Sequence, residues 1–105
     1  MGEINPQGYI EAIAAKTLAH GSKTVTAAAT AEALGSDTQC RCVIITAKPG
    51  NTGYVYVGGS TVSSSSYGKR LAPEDEITLA VQNLNIVYLD VSVSGEGVDF
   101  LRLGD

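Results

Sequence analysis

The chain has 105 residues, of which 44% are hydrophobic and 17% are charged, and this balance predicts one compact domain rather than a disordered chain or a two-lobed enzyme. Seven Lys and Arg against eleven Asp and Glu leave a net charge of −4, which makes nucleic-acid phosphates unfavourable partners. No apolar run approaches the roughly 20 residues of a membrane-spanning helix, so we expect neither nucleic acid nor a membrane as a partner.

The N-terminal part of the chain, residues 1–21, has the pattern of a short helix or arm. Asn5 can cap a helix whose first residue is Pro6, and Gly21 is placed to end it. The apolar residues at helical spacing over residues 5–18 are rich in alanine, so the helix would be marginal alone and must dock on another surface. The larger apolar side chains of this arm are the predicted partner-binding residues: Tyr9, Ile10, Ile13 and Leu18.

From residue 22 to residue 105 the pattern changes to short β-branched runs separated by Gly, Pro, Asn and Ser. This spacing predicts a mainly β fold, a small antiparallel β-sandwich of the jelly-roll or immunoglobulin-like type. The predicted strands cover residues 23–27, 40–47, 53–57, 77–81, 86–93 and 98–103. Residues 30–34 are predicted as a weaker strand, although the Ala-rich run that ends at Gly35 also has helix propensity.

Two of the predicted strands are apolar on both faces. Val43, Ile44 and Ile45 follow one another without a polar residue, and Leu101 lies next to Phe100. A strand of this kind is covered on two sides. It lies either in the centre of a sandwich or at a contact between subunits, and the sequence leaves both alternatives open.

Four segments have the composition of turns or loops. Residues 48–51 and 94–97 place glycine between β-like runs, which predicts two hairpin connections. In residues 72–75, Pro73 presets the backbone for the second position of another turn. The Ser-rich residues 58–68 have the profile of an exposed, mobile loop.

Few residues could carry catalysis or bind a metal. Cys40 and Cys42 share a strand face, a spacing unsuited to a disulfide, and with the one histidine they are too few for a zinc site. His20 has no recognisable nucleophile or orienting acid and is interpreted as a helix-end residue. Residues 74–76 lack the spacing of a calcium loop. We therefore expect a non-enzymatic protein without catalytic, metal-binding or cofactor-binding residues.

The tyrosines leave a binding function open. Tyr54 and Tyr56 share one face of a predicted strand, and Tyr67 lies in the Ser-rich loop. Such rings either form a stacking platform for sugars or bases or pack into the core. The chain contains no tryptophan, and the apolar residues on the reverse face favour core packing.

Four segments, taken in order, resemble small β-rich structural proteins of tailed bacteriophages. They are residues 43–47 (VIITA), 51–63 (NTGYVYVGGSTVS), 71–79 (LAPEDEITL) and 86–98 (IVYLDVSVSGEGV). In such proteins a segment like N-T-G-x-V-Y-V-G, a turn like L-A-P-G-E and a closing hairpin like Y-V-D-x-S-x-S-G-E-x-V recur in this order. The chain departs from this pattern at Glu74 and Asp75, where a turn glycine is usual.

The resemblance, which covers residues 43–103, implies a virion component without enzymatic activity. The leading interpretation is a capsid decoration or cement protein that binds the major capsid protein in the assembled head shell and stabilises the shell. A tail, neck or head-fibre-base protein that binds another virion protein is the alternative, and a carbohydrate-binding adhesion module is a further one. We expect a homo-oligomer, with a trimer as the first hypothesis, in a virion assembled in the host cytoplasm.

Overall fold

The computed structural model describes residues 15–104, which form eight β-strands and one short 3₁₀ turn. The strands are β1 (Thr17–Thr24), β2 (Glu32–Ala33), β3 (Cys42–Ala47), β4 (Val55–Gly58), β5 (Lys69–Leu71), β6 (Glu76–Leu79), β7 (Tyr88–Val91) and β8 (Gly97–Gly104). The 3₁₀ turn spans Leu84–Ile86, between β6 and β7.

These strands form two four-stranded antiparallel sheets packed face to face. The first sheet has the order β1-β8-β3-β6 and the second has the order β2-β7-β4-β5. This is the strand order of a jelly roll, in which each sheet combines strands from both halves of the chain. The predicted mainly β sandwich is confirmed.

One hydrophobic core lies between the two sheets. It contains Val43, Ile45, Ala47 and Val98 from the first sheet, and Val55, Val57, Leu71, Leu89 and Val91 from the second. In β3 the buried residues alternate with half-buried ones, as expected when every second side chain points at the opposite sheet. Because burial of a Val, Leu or Ile side chain contributes about 1.5–3 kcal/mol, this cluster supplies much of the driving force for folding.

The predicted N-terminal helix is wrong at its C-terminal end. Residues 5–14 of that prediction lie outside the described residues, but Leu18 belongs to β1, which continues through Gly21 and pairs with β8 along its whole length. The reason is that the ladder with β8 satisfies the backbone hydrogen bonds of this segment, whereas an Ala-rich helix is marginal without a partner. His20 is therefore a strand residue and not a helix-end residue.

The two predicted hairpin connections are also wrong. Residues 48–51 join β3 to β4, and residues 94–97 lie at the passage from β7 to β8, so both cross from one sheet to the other. Turn residues allow the chain to reverse, but the sheet that receives the next strand depends on which apolar faces meet in the core. Among the described strands, only β4 and β5 are consecutive in the chain and adjacent in a sheet.

The remaining predicted strands differ from the observed strands mainly in their length. The weak strand expected at residues 30–34 is confirmed over Glu32–Ala33, and residues 27–34 contain no helix. Strand β5, which follows the Ser-rich loop, was not predicted. This strand has three residues, of which two are exposed and one is buried. A strand of this length is too short to show a periodic pattern in the sequence.

The turn at residues 72–75 leads from the second sheet into the first. The Asp75 amide donates a hydrogen bond to the Ala72 carbonyl at 2.9 Å, and Glu74 has a φ of 71°. Pro73 followed by a residue in the left-handed region is the signature of a type II turn. Glu74 therefore occupies the turn position at which glycine is favoured.

The Glu96 carboxylate links the two connections that pass from one sheet to the other at one end of the sandwich. Glu96 accepts hydrogen bonds from the Thr52 amide at 2.7 Å, the Thr52 hydroxyl at 2.8 Å and the Gly53 amide at 2.9 Å. These bonds, the Thr52 amide first, hold the pKa of Glu96 below its usual value. The buried Asn51 donates to the Gly97 carbonyl at 2.9 Å, so the two connections are fixed to each other.

Candidate partner-binding face

The outer face of the first sheet, which points away from the core, is apolar at one end. In the registers of β8 with its two neighbours, Leu103 lies between Leu18 and Cys42, and Leu101 lies beside Ile44. Residues paired across adjacent strands point to the same side of a sheet. We call Leu18, Ile44, Leu101 and Leu103 the outer apolar patch.

The patch residues are not part of the core. Val43 and Ile45 are fully buried, so Ile44 between them points away from the second sheet. Leu18 is 67% exposed, and the other three patch residues are half-buried and absent from the core cluster. Exposed aliphatic surface is unfavourable in water, so this group of side chains is a candidate contact surface.

The opposite end of the same face is polar. Ser22 of β1 lies opposite Asp99 of β8, and the Ser22 hydroxyl and the Lys48 ammonium both donate to Asp99 Oδ1 at 2.7 Å. These bonds, chiefly the one from Lys48, hold the pKa of Asp99 below its usual value. The face is thus divided along its strands into a charged, hydrated half and a half in which the aliphatic side chains lie beside His20 and Thr78.

Sequence reasoning identified one of the four patch residues. Leu18 was predicted as a partner-binding residue, and it lies on the exposed side of β1. Tyr9, Ile10 and Ile13, predicted with it, lie outside the described residues. The other patch residues were missed as binding residues, although the apolar character of β3 and β8 on both faces pointed to them. These two strands are the central ones of the first sheet, and the second sheet covers only one of their faces.

The two cysteines lie in different environments. Cys40 is buried, its thiol donates to the Val81 carbonyl at 3.1 Å, and burial raises the pKa of that thiol. Cys42 is half-buried and lies beside Leu103 on the outer face. Both are free thiols. The side chain of Cys42 therefore borders the outer apolar patch, whereas that of Cys40 does not.

The tyrosines form a separate surface on the second sheet. The ring centroids of Tyr56 and Tyr67 are 5.0 Å apart, and the guanidinium of Arg70 lies 4.2 Å from the centroid of the Tyr54 ring. Tyr56 is buried but is absent from the core cluster between the sheets. Tyr54 is 39% exposed and Tyr67 is 44% exposed. We call Tyr54, Tyr67 and Arg70 the tyrosine surface. Exposed rings beside a cation can stack on and hydrogen-bond to a polar ligand.

The sandwich opens along the free edge of β6. A crevice of about 420 Å³ lies there between the sheets, and Ile77 and Leu79 of β6 line it together with Ile86 and Lys69.

Within residues 15–104 there is no group of three or more His, Cys, Asp or Glu side chains that could hold a metal ion. No helix in the same range is long and apolar enough to cross a membrane.

Comparison of the chain with models of protein families, with curated protein sequences and with solved structures found no match. Function therefore has to be inferred from the surfaces that the described residues present, above all the outer apolar patch and the tyrosine surface.

Proposed function

We propose that the protein is a non-enzymatic structural component of a tailed-bacteriophage virion, which binds the assembled head shell and stabilises it. The outer apolar patch is the observation that carries this proposal. A jelly-roll sheet with aliphatic side chains on its outer face has a surface that another protein can cover. Capsid and lectin domains include jelly rolls. The fold of this protein therefore agrees with a capsid role by analogy.

The resemblance to phage structural proteins supports the same proposal. It covers residues 43–103, which include β3 and β8, the two strands that supply Ile44, Leu101 and Leu103. The segment that resembles a virion protein is therefore also the segment that supplies most of the patch.

The small size of the patch favours binding to a repeating surface. Full burial of one aliphatic side chain contributes about 1.5–3 kcal/mol, whereas association costs about 4–15 kcal/mol in lost rigid-body freedom. Four partly covered side chains therefore give only weak binding for a single copy. On a shell, contacts with the lattice and with neighbouring copies form together, which raises the overall affinity. We expect binding to assembled shells and not to unassembled shell subunits.

Co-sedimentation of the full chain with purified shells tests the proposal. Leu101→Gln places an amide in the middle of the patch and is expected to raise the Kd for shells at least about tenfold, the equivalent of one buried aliphatic contact. Thr24→Gln, on the exposed polar half of the same face, is the matched control and should bind as the wild type does. Equal binding of Leu101→Gln, or equal affinity of the wild type for shells and free subunits, would contradict the proposal.

A tail, neck or head-fibre-base location is the alternative within the same class of protein. Quantitative mass spectrometry of purified virions separates the two locations by copy number. Hundreds of copies support the shell, whereas a few copies in multiples of three, five or six support a vertex, neck or tail, because the symmetry of each location determines how many subunits it holds.

The tyrosine surface favours carbohydrate binding as a second candidate function. Its two exposed rings and Arg70 could hold a saccharide by stacking and charge-assisted hydrogen bonds. Arg70 lies over one face of the Tyr54 ring and Tyr56 lies against the Tyr67 ring, and Tyr67 is the more exposed of the two exposed rings. Binding on a glycan array that is lost in Tyr67→Ala and kept in Leu101→Gln would support this candidate, and an array without signal at high protein concentration would remove it.

A further inference from the structure

Strand β6 is an edge strand of the first sheet, and its second side pairs with no other strand of the described chain. Its described neighbour is β3, in a register that places Ile45 opposite Ile77 and Val43 opposite Leu79. The other residues of β6, Glu76 and Thr78, are exposed. An edge strand presents unpaired amide and carbonyl groups, which form a template for another extended chain.

The hydrogen bonds at the start of the β3–β6 ladder show which of these groups are free. The Ala47 amide donates to the Asp75 carbonyl at 2.9 Å, so these two residues are joined directly before β6 begins. In an antiparallel ladder, hydrogen-bonded pairs alternate with pairs that do not bond to each other. The next residue that bonds to β3 is therefore Ile77. The amides and carbonyls of Glu76 and Thr78 point to the free side.

The crevice of about 420 Å³ adjoins the inner side of this edge. Ile77 and Leu79 line it from β6, and Val57 lines it from β4. Lys69 is the one charged residue among those that line it. The side chains of a strand added beside β6 would alternate between this crevice and the outer face. The crevice therefore gives apolar cover to every second side chain of such a strand.

The other three edge strands of the described sheets carry features that discourage pairing. Strand β2 has two residues, and β5 has three, of which Lys69 and Arg70 are exposed. Strand β1 contains Lys23. Short edge strands and lysine side chains both hinder the addition of another strand. Strand β6 has four residues, none of them lysine or proline, and it is the edge that lies beside the apolar crevice.

The charges at the start of β6 indicate the chemistry of a partner. Glu74, Asp75 and Glu76 are consecutive and exposed. In an antiparallel pair, the C-terminal end of the added strand lies beside this N-terminal end of β6. Basic side chains that follow the aliphatic residues of the partner would meet these three carboxylates. Such complementary charges favour association and help to set the direction of the added strand.

We propose that the edge of β6 binds an extended peptide segment of a partner protein as an additional antiparallel strand. Alternate aliphatic side chains of the segment lie in the crevice, and basic side chains lie beside residues 74–76. Hydrogen bonds to the main chain of Glu76 and Thr78 supply affinity, and the crevice supplies selectivity for aliphatic side chains. The inference concerns a site other than the outer apolar patch, and it does not require the head shell as the partner.

An acetylated and amidated peptide of sequence VTVTVKK is the probe. With its valines in the crevice, its threonine amides face β6 and its valine amides face solvent. N-methylation of both threonine amides removes hydrogen bonds to β6 and should raise the Kd at least about tenfold. N-methylation of two valine amides is the matched control and should leave binding unchanged. NMR titration of the ¹⁵N-labelled full chain measures the three values of Kd.

Thr78→Pro tests the same contact from the side of the protein. The Thr78 amide points away from β3, so proline removes a donor on the free side alone, a position at which edge strands accept proline. We expect the Kd for the unmodified peptide to rise at least about tenfold. Thr78→Val keeps the amide and should bind the peptide as the wild type does. Thermal unfolding shows whether both variants are folded, and the methylated peptides test the contact without any variant.

Hydrogen exchange shows whether the edge is open in the free chain. The Thr78 amide should exchange rapidly in the free chain and at least about tenfold more slowly with saturating peptide, because a hydrogen bond then protects it. Slow exchange in the free chain would show that a second copy or residues 1–14 already occupy the edge, and this would overturn the inference. Equal effects of the two methylated peptides, or no binding at millimolar peptide, would overturn it as well.

The outcome for this site can be separated from that for the proposed function. Leu101→Gln changes the outer apolar patch and should bind the peptide as the wild type does. Loss of shell binding in Leu101→Gln, with peptide binding unchanged, would show that the patch and the edge of β6 act independently. Loss of peptide binding in Leu101→Gln would overturn the assignment of the peptide to the edge of β6.

Discussion

At the scale of single residues, Glu74 is held in a backbone conformation that its side chain disfavours. It has a φ of 71° at the third position of the turn over residues 72–75. A left-handed conformation costs a residue with a Cβ about 1–2 kcal/mol, and the turn keeps Glu74 there because the amide and side chain of Asp75 both bond to Ala72. The sequence singled out this residue because it stands at a turn position where glycine is usual, and its φ gives the physical reason.

Glu74→Gly is expected to stabilise the protein by about 0.5–1 kcal/mol. The relief of about 1–2 kcal/mol of backbone strain exceeds the roughly 0.5–1 kcal/mol that glycine costs through the entropy of the unfolded chain. Urea unfolding at pH 7 measures the change. Glu74→Ala is the control, since it removes the same charge and keeps the strain. If both variants stabilise equally, charge and not conformation is the cause.

Glu96 makes the stability of the protein depend on pH. Its folded-state pKa is lowered by the hydrogen bonds from Thr52 and Gly53, so its stabilising effect is complete above the ordinary value of 4.5 and is lost as the pH falls through the lowered pKa. Glu96→Gln should lower Tm at pH 7. The difference in Tm between the variant and the wild type should become smaller below pH 4.5. Thermal unfolding from pH 3 to pH 7 checks this, with the exposed Glu76→Gln as control. A difference that stays constant with pH would refute it.

At the scale of elements, β1 depends on its contact with β8, its neighbour in the described sheet. Gly97 lies opposite Thr24 at one end of this ladder. A Cβ atom added to Gly97 would overlap the Lys23 carbonyl oxygen and lie 2.7 Å from the Thr24 Cα. Both of these atoms belong to the backbone, so the strand itself would have to move.

Gly97→Ala is therefore expected to destabilise the protein by about 1–3 kcal/mol or more, through overpacking against the backbone of β1. Gly59→Ala is the matched control, because a Cβ at Gly59 meets no atom within 4 Å. The midpoints of urea unfolding give both values. Equal midpoints for the two variants would show that β1 adjusts without cost.

The strands themselves could be predicted unevenly from the sequence. Strands β3, β6, β7 and β8 were found at their centres because side chains on one face are regularly buried, and this gives a periodic pattern. Strand β1 was predicted only at its end, because Thr17–Thr24 contains few large apolar residues and its partners in β8 are between 73 and 87 positions away. Local sequence does not reveal a ladder of such long range.

At the scale of the whole molecule, the two sheets share one core and should unfold together. Leu89 of β7 is completely buried in that core. Leu89→Ala is expected to lower the free energy of unfolding by about 2–5 kcal/mol. Circular dichroism and tyrosine fluorescence should show the same single unfolding transition, with its midpoint lowered equally in both measurements. Leu101→Ala, on the outer face, is the control and should cost much less in the monomer. Two separated transitions would indicate that the sheets unfold independently.

The sequence by itself determined the mainly β class of the protein, the sandwich, and the presence of strands that are apolar on both faces. These properties follow from local alternation and from turn residues, which act over a few positions. It also predicted Leu18 as a partner-binding residue, and the structure places this side chain on the exposed side of β1.

Only the tertiary structure decided which sheet each strand joins and which residues surround Leu18. Leu18, Ile44, Leu101 and Leu103 are far apart in the chain, and β8 brings them together because it pairs with β1 on one side and β3 on the other. The physical reason is that strand order is selected by burial of all inner faces in one core. The outer apolar patch is a consequence of that order, and no local pattern contains it.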